Sequence, residues 1–190
     1  VASIFFSFNS WASKWVDDSC ATILHLWWRK CSAYRLSTPP VELLEQWITA
    51  FPWKGIKFFI ANNTLMLTEV KADGLYISAH NKDLSLIRYK HFFYEIIGSA
   101  HNHKEIVIKL KQGCQKILVS RLFQTSYLSK KGFLGITKFN TIAKRTPVEI
   151  IPLGGININN LSKLKMVKSN SIAFLSAIKK KPAKFINRLF

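Results

Sequence analysis

Short apolar segments typical of β-strands alternate with stretches of helical spacing along this chain of 190 residues. The eight candidate strands are residues 4–8, 22–27, 56–61, 75–77, 95–98, 116–119, 149–153 and 172–175. Strands that alternate with helices predict an α/β fold with a parallel sheet and right-handed crossovers. Eight such units in one short chain favour a (β/α)8 TIM barrel in a single domain, and an open sheet of six strands is the alternative.

The candidate helices fill the intervals between these strands. The predicted helices are residues 41–50, 65–70, 103–112, 136–144, 159–167 and 184–190. The first follows Pro39-Pro40, and 136–144 and 159–167 carry apolar residues at helical spacing. The helix after residue 102 has the clearest ends, because Asn102 and Glu105 resemble a capping box and Gly113 is a plausible C-cap.

Composition places the chain among globular proteins of the cytoplasm. The hydrophobic fraction is 48% with 20% charged residues, and no apolar run approaches the roughly 20 residues of a membrane span. The first eight residues resemble a strand more than a signal peptide. The three cysteines (Cys20, Cys31 and Cys114) are widely spaced, so a disulfide framework is not expected and a reducing compartment is.

Charge and aromatic residues bear on the partners. The net charge of +18 would attract a polyanion such as nucleic acid, anionic lipid or a pyrophosphate substrate, whereas scattered lysines also suit solvated helix faces. All six tryptophans precede residue 54. Such a cluster indicates either core or a contact between copies of the chain, which leaves a homo-oligomer open.

Polar and small residues collect where the predicted strands end. In a (β/α)8 barrel these carboxyl ends form the active site, and the loops after the last two strands often bind phosphate. Glycine lets a ligand approach the backbone closely. His101 is expected mainly as a helix-entry residue, with a catalytic base as the alternative, and Arg121 as either an anion clamp or a solvated loop residue. The other candidates are Arg29, Asn62, Asn63, Asp83, Ser99, Thr125, Lys130, Gly154, Gly155 and Ser176.

Five stretches together resemble one family, that of thiamine-phosphate synthase and the TenI-type thiazole tautomerase. They are residues 71–76 (KADGLY), 96–102 (IIGSAHN), 122–125 (LFQT), 153–156 (LGGI) and 174–178 (FLSAI). The resemblance is clear from about residue 56 to residue 178, and the N-terminal third is divergent. It implies one barrel domain over residues 1–190.

The resemblance also implies a reaction and a set of site residues. The family joins hydroxymethylpyrimidine pyrophosphate to a thiazole phosphate, with magnesium and cationic side chains stabilising the departing pyrophosphate. By position, Ser99, Thr125 and Lys130 would be catalytic. Magnesium would be held by Asn63 and Asp83. Substrate and phosphate would be bound by Arg29, Asn62, Ser99, Thr125, Gly154, Gly155 and Ser176.

The chain also departs from the family pattern. Asn62-Asn63 stands where the family has Asn-Asp, and the Gln-x-Arg-x-Lys pattern falls on His25, Trp27 and Arg29. The tautomerase's catalytic histidine corresponds to Arg121.

Three hypotheses for the function follow. The first is a thiamine-phosphate synthase-like transferase of thiamine biosynthesis that takes small phosphorylated thiamine precursors. The second is a non-catalytic relative that binds a ligand or partner of that pathway. The third is a basic nucleic-acid-binding protein, although no known nucleic-acid-binding module is present in the sequence.

Overall fold

The computed structural model of the chain describes residues 5–8, 56–69, 72–92, 94–125 and 132–173. Contacts divide the chain into two compact units, Val1–Tyr76 and Ile77–Phe190. The predicted strand 22–27 and the predicted helices 41–50 and 184–190 lie outside the described residues. No helix among those residues is long and apolar enough to span a membrane.

The described residues of the first unit form three strands and one helix. They are β1 (Phe5–Phe8), β2 (Ile56–Ala61), α1 (Thr64–Glu69) and β3 (Gly74–Ile77), whose last residue begins the second unit. Strands β2 and β3 are parallel, with Ile60 opposite Leu75, and α1 connects them. Phe59, Leu67 and Leu75 are fully buried, so this β-α-β segment has an apolar core of its own.

Strand β1 corrects the expectation of an all-parallel sheet. It pairs antiparallel with β2, with Phe5 opposite Phe59 and Phe8 opposite Ile56. Hydrophobic patterning shows that a strand exists but not which way it runs, and an antiparallel strand often joins an otherwise parallel sheet. The described part of the chain is therefore α/β with a mainly parallel sheet, and closure into a barrel stays a prediction.

Three parallel strands lie in the described part of the second unit. Strand β5 lies between β4 and β6, with Ile97 opposite Lys116 and Leu118 opposite Ile151. Beyond β6, Leu153 forms a single parallel bridge to Ala173. Residues 174 and 175 of the predicted strand 172–175 lie outside the described residues. The elements in order are the 3₁₀-helix η1 (Leu84–Phe92), β4 (Glu95–Ala100), α2 (His103–Lys111), β5 (Lys116–Ser120), α3 (Gly135–Arg145), β6 (Glu149–Leu153) and the 3₁₀-helix η2 (Ile158–Met166).

Helix α2 begins as the sequence predicts. The Asn102 side chain accepts a hydrogen bond from the Glu105 N–H at 3.0 Å, and the Glu105 carboxylate accepts one from the His101 N–H at 2.7 Å. Gly113, with a φ of 80°, follows its C-terminal end. The Asn102 bond satisfies a backbone donor that the first turn of a helix leaves without a partner, and the Glu105 bond fixes the residue before the cap.

Two helical segments differ from expectation. The predicted helix 159–167 is the 3₁₀-helix η2, entered through a capping box of Asn157 and Asn160. The 3₁₀-helix η1 was not predicted, because its apolar side chains form no stripe of helical period. Leu84, Ile87 and Phe92 are exposed there, while Leu86 is buried.

Candidate functional site

The two faces of the second unit's sheet can be told apart at Gly98 in β4. A Cβ placed there would lie 2.8 Å from Lys109 Cδ and 2.8 Å from Cys114 Sγ. This position therefore faces α2 and Cys114, which lies shortly after it in the chain. Successive side chains along a strand point to opposite faces. Ser99 therefore faces away from α2, at the carboxyl end of β4.

The strand register brings further polar groups to the same face. Ser99 lies opposite Leu118, and Ser120 lies opposite Leu153 in β6. Ser120 Oγ is 2.7 Å from Nδ1 of His101, the residue that follows β4. A hydroxyl and an imidazole from adjacent strands thus meet beside Ser99 at the carboxyl edge of the sheet.

The loop after β5 is shaped by Arg121. Its guanidinium donates from Nη1 to the Thr125 hydroxyl at 2.9 Å and from Nη2 to the Gly132 carbonyl at 3.0 Å. The Arg121 carbonyl accepts from the Leu134 N–H at 2.8 Å. Arg121 therefore places Thr125 at the same edge, and its charge lies within the loop.

Gly154 and Gly155, which follow β6, pack against this loop. The Leu122 N–H donates to the Leu153 carbonyl at 3.0 Å, and the Phe123 N–H donates to the Gly154 carbonyl at 3.1 Å. Gly155 has a φ of 74°, and a Cβ there would overlap the Phe123 carbonyl. Glycine is therefore needed here for a close approach of two loops, whereas its predicted contact with a ligand stays a prediction.

The residues predicted to hold magnesium have mostly local roles. Asn63 Oδ1 accepts from the Met66 N–H at 3.1 Å and so caps α1, while Asn62 has a φ of 54°. Asp83 is exposed, and hydrogen bonds from the Ser85 hydroxyl and backbone N–H hold the pKa of its carboxyl below the usual value. Among the described residues, no three His, Cys, Asp or Glu side chains form a metal-binding group.

A buried polar cluster anchors the segment that carries Asp83. Lys109 Nζ donates to the Asn81 carbonyl at 2.7 Å and to Gln112 Oε1 at 2.8 Å, and Gln112 Nε2 donates to the Asp83 carbonyl at 2.9 Å. Lys109 and Gln112 are both fully buried. Burial lowers the pKa of Lys109 and raises the pKa of the neighbouring Cys114 thiol to about 12. The burial of Lys109 and Gln112 could have been inferred from the sequence, since both follow Ile106 at the spacing of one helix face.

A cavity of about 470 Å³ lies beside the loop after β5. Its walls come from that loop, the start of α3 and the 3₁₀-helix η2. The lining residues are Phe123, Gln124, Phe133, Gly135, Ile136, Asn157, Asn160 and Lys163. None of the site residues predicted from the sequence lines it.

The predicted site residues fall into three groups. Ser99, Thr125, Gly154 and Gly155 lie at or just beyond the carboxyl ends of β4, β5 and β6. Asn62 and Asn63 belong to the first unit, whereas Asp83 belongs to the second. Arg29, Lys130 and Ser176 lie outside the described residues, so their roles stay predictions.

Comparison with known proteins adds independent findings. The family model described as thiamine monophosphate synthase matches residues 40–178. A thiamine-phosphate synthase of Prochlorococcus marinus strain AS9601 is 32% identical over 122 residues, which are 63% of this chain and 35% of that protein. One from Pelagibacter ubique is 28% identical over 141 residues, 70% of this chain and 67% of that protein. The chain thus spans about a third of the Prochlorococcus relative.

A solved structure shares the fold. Thiamine phosphate pyrophosphorylase from Pyrococcus furiosus superposes with a TM-score of 0.63 at 15% identity, over 81% of this chain and 77% of that one. At this identity the likeness concerns the α/β architecture alone.

Proposed function

The chain belongs to the thiamine monophosphate synthase family, and from this membership we propose that it joins hydroxymethylpyrimidine pyrophosphate to thiazole phosphate with loss of pyrophosphate. The observation that carries the proposal is the family match over residues 40–178, which includes every described strand end of the second unit. The product of this reaction is thiamine phosphate. In this proposal the protein is a transferase that acts in the cytoplasm.

The arrangement of donors supports this chemistry. The Ser99 and Thr125 hydroxyls and the backbone at Gly154 and Gly155 lie at the carboxyl edge of three consecutive parallel strands. Hydroxyl and backbone N–H donors suit phosphate oxygens, and the Arg121 guanidinium beside Thr125 adds positive charge. In this proposal Ser99, Thr125 and Lys130 stabilise the charge that builds up on the departing pyrophosphate.

Gly154, Gly155 and Ser176 would hold the thiazole phosphate in this proposal. Arg29 and Asn62 would also bind substrate or its phosphate. The net charge of +18 raises the local concentration of both polyanionic substrates.

Magnesium belongs to the proposal, with Asp83 as the residue that fits it best. It is the one carboxylate of the two predicted ligands, and hydrogen bonds from Ser85 hold its pKa below the usual value, which favours the charged form that a cation needs. The Asn63 amide oxygen already caps α1, although a carbonyl oxygen has a second lone pair to offer. When bound, magnesium would neutralise charge on pyrophosphate oxygens through hard oxygen ligands.

The test is turnover of the two substrates with magnesium, followed as thiamine phosphate. Ser99→Ala and Thr125→Ala should each lower kcat/KM by about tenfold or more, the size of a lost hydrogen bond to a charged group. Thr141→Ala is the matched control, because the Thr141 hydroxyl donates to its own helix at Thr137 and should leave turnover unchanged. Equal rates in all three variants would contradict the assignment.

A second candidate is a non-catalytic family member that binds the same ligands. It is favoured by Arg121 and Asn63, whose polar groups already make bonds within the protein. A folded sample that binds thiazole phosphate but forms no thiamine phosphate would support this candidate over the synthase.

A further inference from the structure

We propose that His101, oriented by Ser120, is a binding residue for the phosphate or pyrophosphate group of the substrate. The starting point is the distance of 2.7 Å between Ser120 Oγ and His101 Nδ1. Ser120 ends β5 and His101 follows β4, so the contact joins the carboxyl ends of two neighbouring parallel strands.

The histidine is held at two points. Its backbone N–H donates to the Glu105 carboxylate at 2.7 Å, and its ring meets the Ser120 hydroxyl. The ring itself remains on the exposed edge of the sheet. An exposed side chain with a fixed backbone and a fixed ring is oriented for a ligand without being enclosed by the protein.

The tautomer of the ring determines whether Nε2 is a hydrogen-bond donor or an acceptor for a ligand. A neutral imidazole has one donor nitrogen and one acceptor nitrogen. When the Ser120 hydroxyl donates to Nδ1, the ring proton sits on Nε2, which becomes a hydrogen-bond donor. An anion selects this tautomer, because the other one would present a lone pair to a negatively charged oxygen.

The surroundings favour an anion over a cation or an apolar group. Ser99 is on the same face of the sheet, and Arg121, the residue after Ser120, carries its guanidinium to Thr125. The Ser99 hydroxyl, and the N–H groups of Arg121 beyond the two that bond Thr125 and Gly132, are donors for phosphate oxygens. The inference rests on the proposed function for the identity of the ligand, and on the His101–Ser120 geometry for the residue.

Inorganic pyrophosphate is the probe, and ring ¹⁵N NMR of the full chain is the readout. The chain has five histidines, and His101→Gln identifies the signals of His101. Pyrophosphate should shift the Nε2 signal of His101 in a saturable way. His101→Gln should weaken binding by about tenfold and Ser120→Ala by about fivefold, as expected for one charge-assisted and one orienting hydrogen bond.

His103→Gln is the matched control, since His103 lies two residues further on, is exposed and should leave the affinity unchanged. Pyrophosphate that binds equally well to His101→Gln, or that does not bind at all, would overturn the inference. A chain without turnover whose His101 signal still responds would refute the synthase and uphold this binding role. Turnover without any response of the His101 signal to pyrophosphate would support the synthase and refute this binding role.

Discussion

The tightest contact of the candidate site is the one between Gly155 and the loop after β5, and Gly155→Ala tests it. Gly155 has a φ of 74°, and an added Cβ would overlap the Phe123 carbonyl oxygen and lie 2.7 Å from the Gln124 carbonyl oxygen. Both atoms belong to the backbone, so neither can rotate away as a side chain would. The loop must move if alanine is present.

The cost has two parts. A left-handed backbone costs a non-glycine residue about 1–2 kcal/mol. Moving the loop also weakens the hydrogen bonds Leu122–Leu153 and Phe123–Gly154, at about 1 kcal/mol each. The total is about 3–4 kcal/mol in the free energy of unfolding, of which about half to two thirds comes from the contact between loops.

Gly132→Ala separates the two parts. Gly132 has a φ of 90° but has no heavy atom within 4 Å of its added Cβ. It therefore carries the backbone cost alone, about 1–2 kcal/mol. Urea unfolding followed by far-UV circular dichroism gives both free energies by linear extrapolation.

Gly155→Ala should therefore be less stable than Gly132→Ala by about 2 kcal/mol, with similar m-values. It should also lower affinity for phosphate ligands, because Thr125 moves with the loop. If the two variants lose the same stability, the close approach of the loops is not what requires glycine, and the reasoning fails.

Two further predictions concern the second unit. Burial raises the pKa of Cys114 from 9.0 to about 12, so the folded state keeps a proton that the unfolded state loses. Stability from this group is full below pH 9 and is lost as the pH rises toward 12. Cys114→Ala should flatten that decline in urea unfolding across this range, and an unchanged slope would exclude the thiol as its cause. Asn102→Ala should cost about 1 kcal/mol through loss of the cap on α2, whereas the exposed Asn159→Ala should cost less, by the same measurement.

The sequence predicted best the elements whose signals are local. Strands β2 and β6 have the predicted bounds, because each is a short apolar run between breaks. Helix α2 follows from Asn102, Glu105 and Gly113, which fix its ends through bonds within a few residues.

Features that depend on distant contacts were predicted poorly. The direction of β1 depends on its partner β2, which is far along the chain. The close packing of Gly155 depends on where the loop after β5 lies, which spacing along the chain does not give. The His101–Ser120 pair needs the register of two strands, which spacing along the chain does not give.

The buried Lys109 restricts the rotation with which α2 can pack against the sheet. A helix rotated by one residue would bring Ile108 or Leu110 to the place of the ammonium group. The Asn81 carbonyl would then lose a charged donor, and Lys109 would keep only Gln112, at the end of the same helix, as an acceptor. Apolar residues of similar size could exchange places at small cost, but an ammonium group cannot. Lys109 therefore selects one packing of α2 against the sheet, because every misaligned packing is costly in free energy.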